Sequence, residues 1–250
     1  MDDANATLVE RHDLTPDVAT LFIRPDVGGA AYAPGQYATL GLATRAGLVQ
    51  RPYSMAAPHA PDEPWEFHVR RVRGGALTER LWRLPVGARL RLGGPRGRFA
   101  PDPQDQRSRL FVATGTGIAP FVAMIRDDLA AGRCRRTVLV HGVAHAEELG
   151  FHGLLTRVAA GHASQLRYIP TISRPDDPRS RGWVGPTGRA ESVLEHRWET
   201  LDVDPAATVA YLCGNPGMVA SARAELAARG FAPRDVHTES YWLDRTAAAA

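Results

Sequence analysis

The chain has 250 residues, enough for two domains with separate cores, and its net charge of +3 is too small for a nucleic-acid binder. Its two cysteines, Cys134 and Cys213, cannot supply the ligands of an iron–sulfur cluster, and no zinc spacing is present, so we expect no metal. Any redox chemistry therefore needs an organic cofactor. An acidic start and the lack of a long apolar run predict a cytoplasmic protein without membrane segments. We expect it to be a monomer.

Residues 7–99 show short period-two segments separated by glycine and proline, which is typical of antiparallel strands. We predict strands at 7–11, 19–24, 36–40, 48–54, 65–70 and 89–92, with one helix at 77–84. Strands this short and regularly spaced predict a closed antiparallel β-barrel with one helix at its mouth. We assign it to residues 1–100.

Two motifs in this region suit a flat cofactor with a phosphate tail. Arg51-Pro52-Tyr53-Ser54 places a guanidinium, a phenol ring and a hydroxyl at the end of one strand, where they can meet a phosphate, an aromatic plane and a ring nitrogen. Gly74-Gly75-Ala76-Leu77-Thr78 opens the helix, with Thr78 expected near the N-cap. Glycines allow close approach of the backbone, and free N–H groups at a helix start bind phosphate.

Residues 101–108 are polar and rich in proline, and we interpret them as a linker. After them the pattern alternates between strand and helix. We predict strands at 109–113, 137–141, 166–172 and 208–213, and helices at 121–129, 147–160, 189–197 and 216–229. Such alternation predicts an α/β domain with a parallel sheet over residues 109–250, with ligands at the carboxyl ends of its strands.

The first strand of this domain runs into Thr114-Gly115-Thr116-Gly117, a candidate pyrophosphate loop. It differs from the usual dinucleotide fingerprint because Pro120 occupies the position of the third glycine. The second strand ends in His141-Gly142, where an NAD enzyme often carries an acidic residue.

Five motifs occur in the order and spacing of ferredoxin–NADP reductases, and the chain most resembles the compact bacterial branch of that family. Beyond the three motifs above, they are Cys213-Gly214-Asn215-Pro216 and Glu239-Ser240-Tyr241-Trp242. The match runs from about Thr7 to Trp242. The resemblance implies an FAD-binding barrel, an NADP-binding α/β domain, and a C-terminal tail that returns to the flavin.

The same resemblance implies roles for individual residues. Arg51 and Thr78 would hold the FAD diphosphate, Tyr53 would pack against the isoalloxazine, and Ser54 would bond near its reactive nitrogen. Tyr241 would cover the exposed flavin face, with Trp242 nearer the adenine. Cys213 would lie beside the nicotinamide, and Glu239 would complete the redox centre. A small buried residue at a strand end is the alternative for Cys213.

The remaining cofactor contacts are also assigned through the resemblance. The 2′-phosphate of NADP would lie among Ser173, Arg174 and Arg189, in agreement with the preference of guanidinium groups for phosphate. The other expected cofactor-binding residues are Pro52, Gly75, Ala76, Leu77, Thr114, Gly115, Thr116, Gly117, Gly214, Asn215 and Met218.

The function implied is transfer of a hydride from NADPH to FAD, followed by single-electron transfers to ferredoxin or flavodoxin. One alternative is the reductase component of an oxygenase system, which shares both domains. Another is a flavin redox sensor that docks a partner without turnover.

Overall fold

The computed structural model describes residues 4–241, so the assignment of Trp242 lies outside the described residues. The chain divides into two compact units. The described part of the first comprises residues 4–101 and 119–127, and that of the second comprises 102–118 and 128–241. The predicted division with a linker at 101–108 stays a prediction. Within residues 4–241 no helix is long and apolar enough to cross a membrane.

The first unit is built on six antiparallel strands in the order β4-β3-β6-β1-β2-β5. They are β1 (Ala6–Thr15), β2 (Val18–Pro25), β3 (Tyr37–Thr44), β4 (Gly47–Ser54), β5 (Trp65–Arg70) and β6 (Arg89–Arg96). Alternate side chains fill the interior, as Leu21 and Ile23 do in β2.

A single bridge closes this sheet. Met55, just after β4, pairs with Phe67 of β5, and the Ala56 N–H donates to the Glu66 carbonyl at 2.8 Å. The first and last strands in the order are thereby joined, so the antiparallel barrel predicted from the sequence is confirmed.

Residues 119–127 belong to this unit because they pack on the barrel. The rings of Phe121 and Phe99 lie 5.9 Å apart. Arg126 donates to the carboxylate of Glu66 at 2.5 Å and to the Ala56 carbonyl at 3.2 Å. Residues 119–127, which form most of the helix Ala119–Ala130, therefore also stabilise the strand pair that closes the barrel.

The barrel helix, α1 (Thr78–Leu81), is shorter than the predicted 77–84. The residue before a proline avoids helical geometry, and Pro85 forces the chain out of the helix after Leu81 through two tight turns. The expected capping role of Thr78 is also corrected. Leu77 holds the N-cap position and provides no side-chain cap, and Thr78 is the first helical residue.

The second unit contains a five-stranded parallel sheet in the order β11-β10-β7-β8-β9. The strands are β7 (Ser108–Thr114), β8 (Thr137–Val143), β9 (Leu166–Ile172), β10 (Thr208–Gly214) and β11 (Val236–Ser240). The helices after β8, β9 and β10 are α3 (His152–Gly161), α4 (Ala190–Leu201) and α5 (Pro216–Ala228). The helix after β7, α2 (Ala119–Ala130), belongs to the first unit over residues 119–127. Every residue of β8 and β10 is buried, as expected for strands covered on both faces.

The strand order reverses between β7 and β10. From β7 the chain proceeds to β8 and β9 on one side, and then crosses to β10 and β11 on the other. In open α/β sheets the crevice at such a reversal, at the carboxyl ends of the strands, is where ligands bind. The predicted parallel α/β domain is confirmed, and Thr114 and Gly214 are the strand ends that border this crevice.

Two elements differ from the sequence-based expectation. The predicted helix 147–160 is interrupted: a single 3₁₀ turn spans Ala146–Glu148, and α3 begins only at His152, after Phe151 adopts a positive φ of 59°. The fifth strand, β11, was not predicted. It pairs with β10 alone and carries Glu239 in register with Cys213.

Candidate active site

The turns after β7 and β10 pack backbone against backbone. The Asn215 N–H donates to the Thr114 hydroxyl at 2.9 Å. Gly214 has a φ of 132°, and a Cβ there would lie 2.3 Å from Thr114 Oγ1. A Cβ on Gly117 would lie 2.4 Å from the Cys213 carbonyl oxygen. A larger residue at either position would push the two turns apart, so the close contact between the turns requires both glycines.

The Gly115 turn is open on its outer side. Gly115 has a φ of 54°, and no atom of residues 4–241 lies within 4 Å of where its Cβ would be. A 3₁₀ turn over Gly115–Ile118 leads directly into α2. Among residues 4–241 no acceptor is found for the Thr116 N–H, which is one of the donors that a helix start leaves unpaired.

Asn215 fixes the start of α5. Its side-chain oxygen accepts from the N–H groups of Gly217 at 2.8 Å and Met218 at 3.4 Å, and Pro216 takes the first helical position. The Met218 side chain is buried in the core of the second unit. Asn215 thus holds the β10 turn in shape, and contacts of Asn215 and Met218 with a coenzyme stay predictions.

Cys213, Glu239 and Tyr241 come together at the end of β10. Cys213 is fully buried and pairs in register with Glu239, and the Tyr241 N–H donates to the Gly214 carbonyl at 2.8 Å. Burial and the nearby Glu239 carboxylate raise the pKa of the Cys213 thiol well above its usual value, against a side-chain hydrogen bond with Tyr241 that lowers it. Cys213 is therefore a neutral thiol.

Ser173, Arg174 and Arg189 lie together at the carboxyl end of β9, and all three are exposed. A bridge between Ile172 and Thr187 sets the two segments side by side. The loop is anchored by its backbone: the N–H groups of Ser173 and Arg174 donate to the carbonyls of Val143 and Ala144, each at 3.0 Å. The bridge thus brings the two chain segments that carry these residues together, and their binding of the 2′-phosphate stays a prediction.

The Arg51-Pro52-Tyr53-Ser54 segment lies on β4, an end strand of the barrel order. On the side of β4 away from β3, the first pairing occurs at Met55, beyond Ser54. Pro52 is therefore tolerated, because no described strand on that side needs the N–H that proline lacks. Arg51 is exposed, with its guanidinium donating to the Gln50 carbonyl at 2.9 Å. Tyr53 packs on the barrel core and burial raises its pKa, while Ser54 is buried. Along this segment the side chains thus become progressively more buried, from the exposed Arg51 to the buried Ser54.

The turn before α1 presents backbone donors. Gly74 has a φ of 75°, and no described residue comes within 4 Å of where its Cβ would be. Within residues 4–241, the N–H groups of Ala76 and Leu77 have no hydrogen-bond acceptor. The Thr78 hydroxyl accepts from the Val72 N–H at 3.0 Å and donates to the Val72 carbonyl at 3.1 Å. Thr78 therefore holds the turn, and the free donors belong to the residues before it.

The structure adds His141, which the sequence marked only as the residue replacing an expected acid. It lies at the end of β8, fully buried, with Nε2 3.1 Å from the Gly115 carbonyl oxygen. His145, four residues after His141, has a different contact: its Nδ1 lies 3.3 Å from Oε1 of Glu148. No metal-binding group of histidine, cysteine and acidic residues is found in the described part of the chain.

Comparison with known proteins decides the family. A model of the oxidoreductase FAD-binding domain matches residues 5–100, and one of the oxidoreductase NAD-binding domain matches residues 111–224. Ferredoxin–NADP reductase B of Sorangium cellulosum (strain So ce56) is 35% identical over 244 residues, which are 94% of this chain and 96% of that protein. The chain belongs to the ferredoxin–NADP reductase family. The family inferred from the five motifs is confirmed.

This reductase also resembles a reductase component of an oxygenase-type system and a solved ferredoxin NADP⁺ reductase. The reductase subunit of an aromatic O-demethylase from Amycolatopsis is 31% identical, covering 96% of this chain and 69% of that protein. A ferredoxin NADP⁺ reductase from Neisseria gonorrhoeae, solved with FAD and NADP, has the same fold, with a TM-score of 0.82 at 23% identity over 95% of this chain and 98% of that one.

This reductase is an FAD-dependent oxidoreductase that uses a nicotinamide coenzyme. Its own residues fit both groups. In the first unit, the free N–H groups of Ala76 and Leu77 and the exposed Arg51 are the donors that a diphosphate requires. In the second, the Thr116 N–H and the space beside Gly115 offer the same chemistry to a second diphosphate.

Proposed function

We propose that this reductase passes electrons from NADPH, through FAD, to ferredoxin or flavodoxin. When bound, the flavin accepts a hydride from a nicotinamide and releases its electrons one at a time, which is the chemistry that joins a two-electron donor to a one-electron carrier. The chain itself supplies binding, orientation and shielding from water.

The proposed preference for NADPH over NADH rests on the two arginines at the end of β9. Arg174 and Arg189 are exposed cations beside Ser173, on segments that the Ile172–Thr187 bridge holds together. A phosphate monoester carries about 1.5 to 2 negative charges near neutral pH, and guanidinium groups match its geometry. NADH lacks that phosphate, so this grouping supports a preference for NADPH.

The proposal of a separate electron carrier rests on composition and on a relative. These 250 residues contain two cysteines, and Cys213 is buried as a neutral thiol in β10, so an iron–sulfur cluster has too few ligands here. The Sorangium relative that this chain matches nearly end to end is named for ferredoxin. We therefore place the one-electron carrier on another protein.

We also propose the roles of the remaining site residues. Arg51 and the Gly74–Leu77 backbone bind the FAD diphosphate, and Tyr53 and Ser54 face the flavin ring. Cys213, neutral and buried, packs beside the nicotinamide and does not transfer a proton, because its pKa is raised. The assignment of Tyr241 to the flavin stays a prediction.

Rapid mixing of the oxidised protein with NADPH or NADH, in the absence of oxygen, tests the proposal. We expect the flavin absorbance near 450 nm to bleach with both coenzymes, and to half-saturate at a much lower concentration of NADPH. Equal half-saturation, or a lower value for NADH, would remove the argument for NADPH. A flavin that neither coenzyme bleaches would indicate a binding protein without turnover.

A second candidate is the reductase component of an oxygenase system. The 31% identity to the O-demethylase reductase over 96% of this chain favours it. The two candidates differ in the acceptor: the second predicts rapid reduction of an oxygenase or its dedicated carrier and slow reduction of ferredoxin and flavodoxin.

A further inference from the structure

His141 connects three elements of the second unit at a point that the proposed mechanism does not use. It lies on β8, its Nε2 is 3.1 Å from the carbonyl oxygen of Gly115, and its Nδ1 is 3.4 Å from the hydroxyl of Tyr168 on β9. The imidazole is completely buried. A buried ring with a partner at each nitrogen has a defined orientation.

The two partners fix which nitrogen carries the proton. A carbonyl oxygen only accepts, so Nε2 carries the hydrogen and donates it to Gly115. Nδ1 is then an acceptor, and the Tyr168 hydroxyl donates to it. Burial lowers the pKa of His141 to about 4; the Gly115 bond opposes this shift, and the charge of neighbouring His152 adds to it. The ring is therefore neutral in a single tautomer throughout the neutral range.

This hydrogen bond determines the direction of a donor in the turn. The Gly115 carbonyl and the Thr116 N–H belong to one trans peptide, so they point to opposite sides of the chain. With the carbonyl held toward His141, the Thr116 N–H is directed away from the protein interior, where it has no acceptor among residues 4–241.

This peptide begins the 3₁₀ turn Gly115–Ile118, and His141 adds to the bonding of that turn a contact from the neighbouring strand β8. Gly115 has no side chain, and its φ of 54° is one that glycine adopts freely, so no side-chain packing at Gly115 helps to fix the peptide. Rotation of the peptide would turn the Thr116 N–H away from a ligand. A rigid donor loses less freedom when it binds than a mobile one.

We propose that His141 is a positioning residue that orients the Gly115–Thr116 peptide toward the diphosphate of the coenzyme. This inference rests on the proposed binding of the coenzyme at the Gly115 turn. The diphosphate is common to NADPH and NADH, so His141 acts on both coenzymes alike, unlike Arg174 and Arg189.

The test compares His141→Phe, which keeps a ring of similar size but no donor, with His141→Gln, whose amide retains one. His152→Phe is the matched control: its ring packs 5.8 Å from that of Tyr168, and no hydrogen bond joins it to Gly115. Steady-state kinetics with NADPH and NADH, using ferricyanide as acceptor, give KM and kcat for each variant. Flavin content and Tm report whether each variant folds.

For His141→Phe we expect the KM for both coenzymes to rise about tenfold, with kcat and the ratio of the two KM values unchanged. His141→Gln should recover most of the loss, and His152→Phe should match the parent. If His141→Phe does not fold, Tyr168→Phe replaces it in the test. This variant keeps the imidazole but removes the hydroxyl that donates to Nδ1, so the proton is no longer fixed on Nε2, and both KM values should rise about twofold.

Unchanged KM values in His141→Phe would overturn the inference, and so would equal increases in KM in His141→Phe and His141→Gln. If His141→Phe does not fold, unchanged KM values in Tyr168→Phe would overturn it. A change confined to NADPH would also overturn it. The proposed NADPH preference is judged separately, because it depends on the ratio of the two KM values in the parent and in the arginine variants.

Discussion

At the scale of single residues, charge at the end of β9 should control the choice of coenzyme. Arg174→Ala and Arg189→Ala should each raise the KM for NADPH by roughly ten- to a hundredfold, because each removes a charge-assisted hydrogen bond to the 2′-phosphate. The KM for NADH should stay within about twofold of the parent, since NADH has no phosphate there to lose.

Arg181→Ala is the control for this pair, because Arg181 is an exposed arginine of the same loop outside the proposed grouping. Equal losses for both coenzymes in the Arg174 and Arg189 variants would contradict the assignment. So would an effect of Arg181→Ala as large as theirs.

A second residue-scale prediction concerns retention of FAD. Arg51→Ala removes an exposed guanidinium from the end of β4 and no part of the barrel core, so the variant should fold and lose flavin during dialysis or gel filtration. Arg45→Ala, in the exposed turn between β3 and β4, should retain it. Full flavin occupancy in Arg51→Ala, measured by absorbance after release, would refute the assignment.

The buried imidazole of His141 also predicts a pH dependence of stability. Its pKa falls from the ordinary 6.5 to about 4, so the unfolded chain takes up a proton at higher pH than the folded one. The neutral ring therefore supports the fold above pH 6.5, and this support is lost as the pH falls toward 4. At 1.36 kcal/mol per pKa unit, the loss is about 3 kcal/mol.

Urea unfolding at pH 7, 6, 5 and 4 measures this effect as a difference between the parent and His141→Phe. The parent should lose about 3 kcal/mol more of its unfolding free energy than the variant over this range. Parallel losses in the two proteins would show that His141 does not have a lowered pKa.

At the scale of elements, the site depends on contact between the β7 and β10 turns. Gly117→Ala would bring a methyl group within 2.4 Å of the Cys213 carbonyl, so the turns must separate. Such overpacking costs about 1–3 kcal/mol, which lowers Tm by a few degrees in a chain of this size. The KM for both coenzymes should rise as well, because the pyrophosphate turn moves.

Gly161→Ala, at the end of α3, is the matched control, since in the described part of the chain no atom lies within 4 Å of the added methyl group. Its Tm should equal or slightly exceed that of the parent. Calorimetry of both variants checks the prediction, and an unchanged Tm and KM in Gly117→Ala would mean that the two turns are free to adjust.

The sequence was most informative about elements with a strong local pattern. Buried strands such as β7 and β10 were predicted within a residue or two because their apolar runs are bounded by glycine. β11 was missed because Val236–Ser240 is short, largely polar, and paired only with a strand more than twenty residues earlier. The interruption before α3 depends on a positive φ at Phe151, which no propensity for phenylalanine indicates.

Site residues show the same limit. The motifs identified Gly115 and Gly214, because a pyrophosphate turn demands glycine there. The role of His141 was not predicted, since the pairing of β7 with β8 brings it to a residue 26 positions away. Contact of Thr78 with the FAD diphosphate stays a prediction; the sequence did not indicate that its hydroxyl accepts from the Val72 N–H and donates to the Val72 carbonyl.

At the scale of the whole molecule, each unit has its own set of backbone N–H groups without an acceptor among residues 4–241. One set lies before α1 and the other at the start of the Gly115 turn. Each set lies in the unit whose family domain is named for the corresponding cofactor. A chain that binds FAD and a nicotinamide dinucleotide in this way, with two cysteines in its 250 residues, is suited to pass electrons to a separate protein.

The most direct test of this account is NADPH-dependent reduction of cytochrome c, measured with and without added ferredoxin or flavodoxin. We predict a low rate with the reductase alone, and a rate that rises and saturates with the concentration of the carrier. The same assay with NADH in place of NADPH should be much slower at equal coenzyme concentration. A rate that is independent of both carriers, or that is greater with NADH, would contradict the central claim.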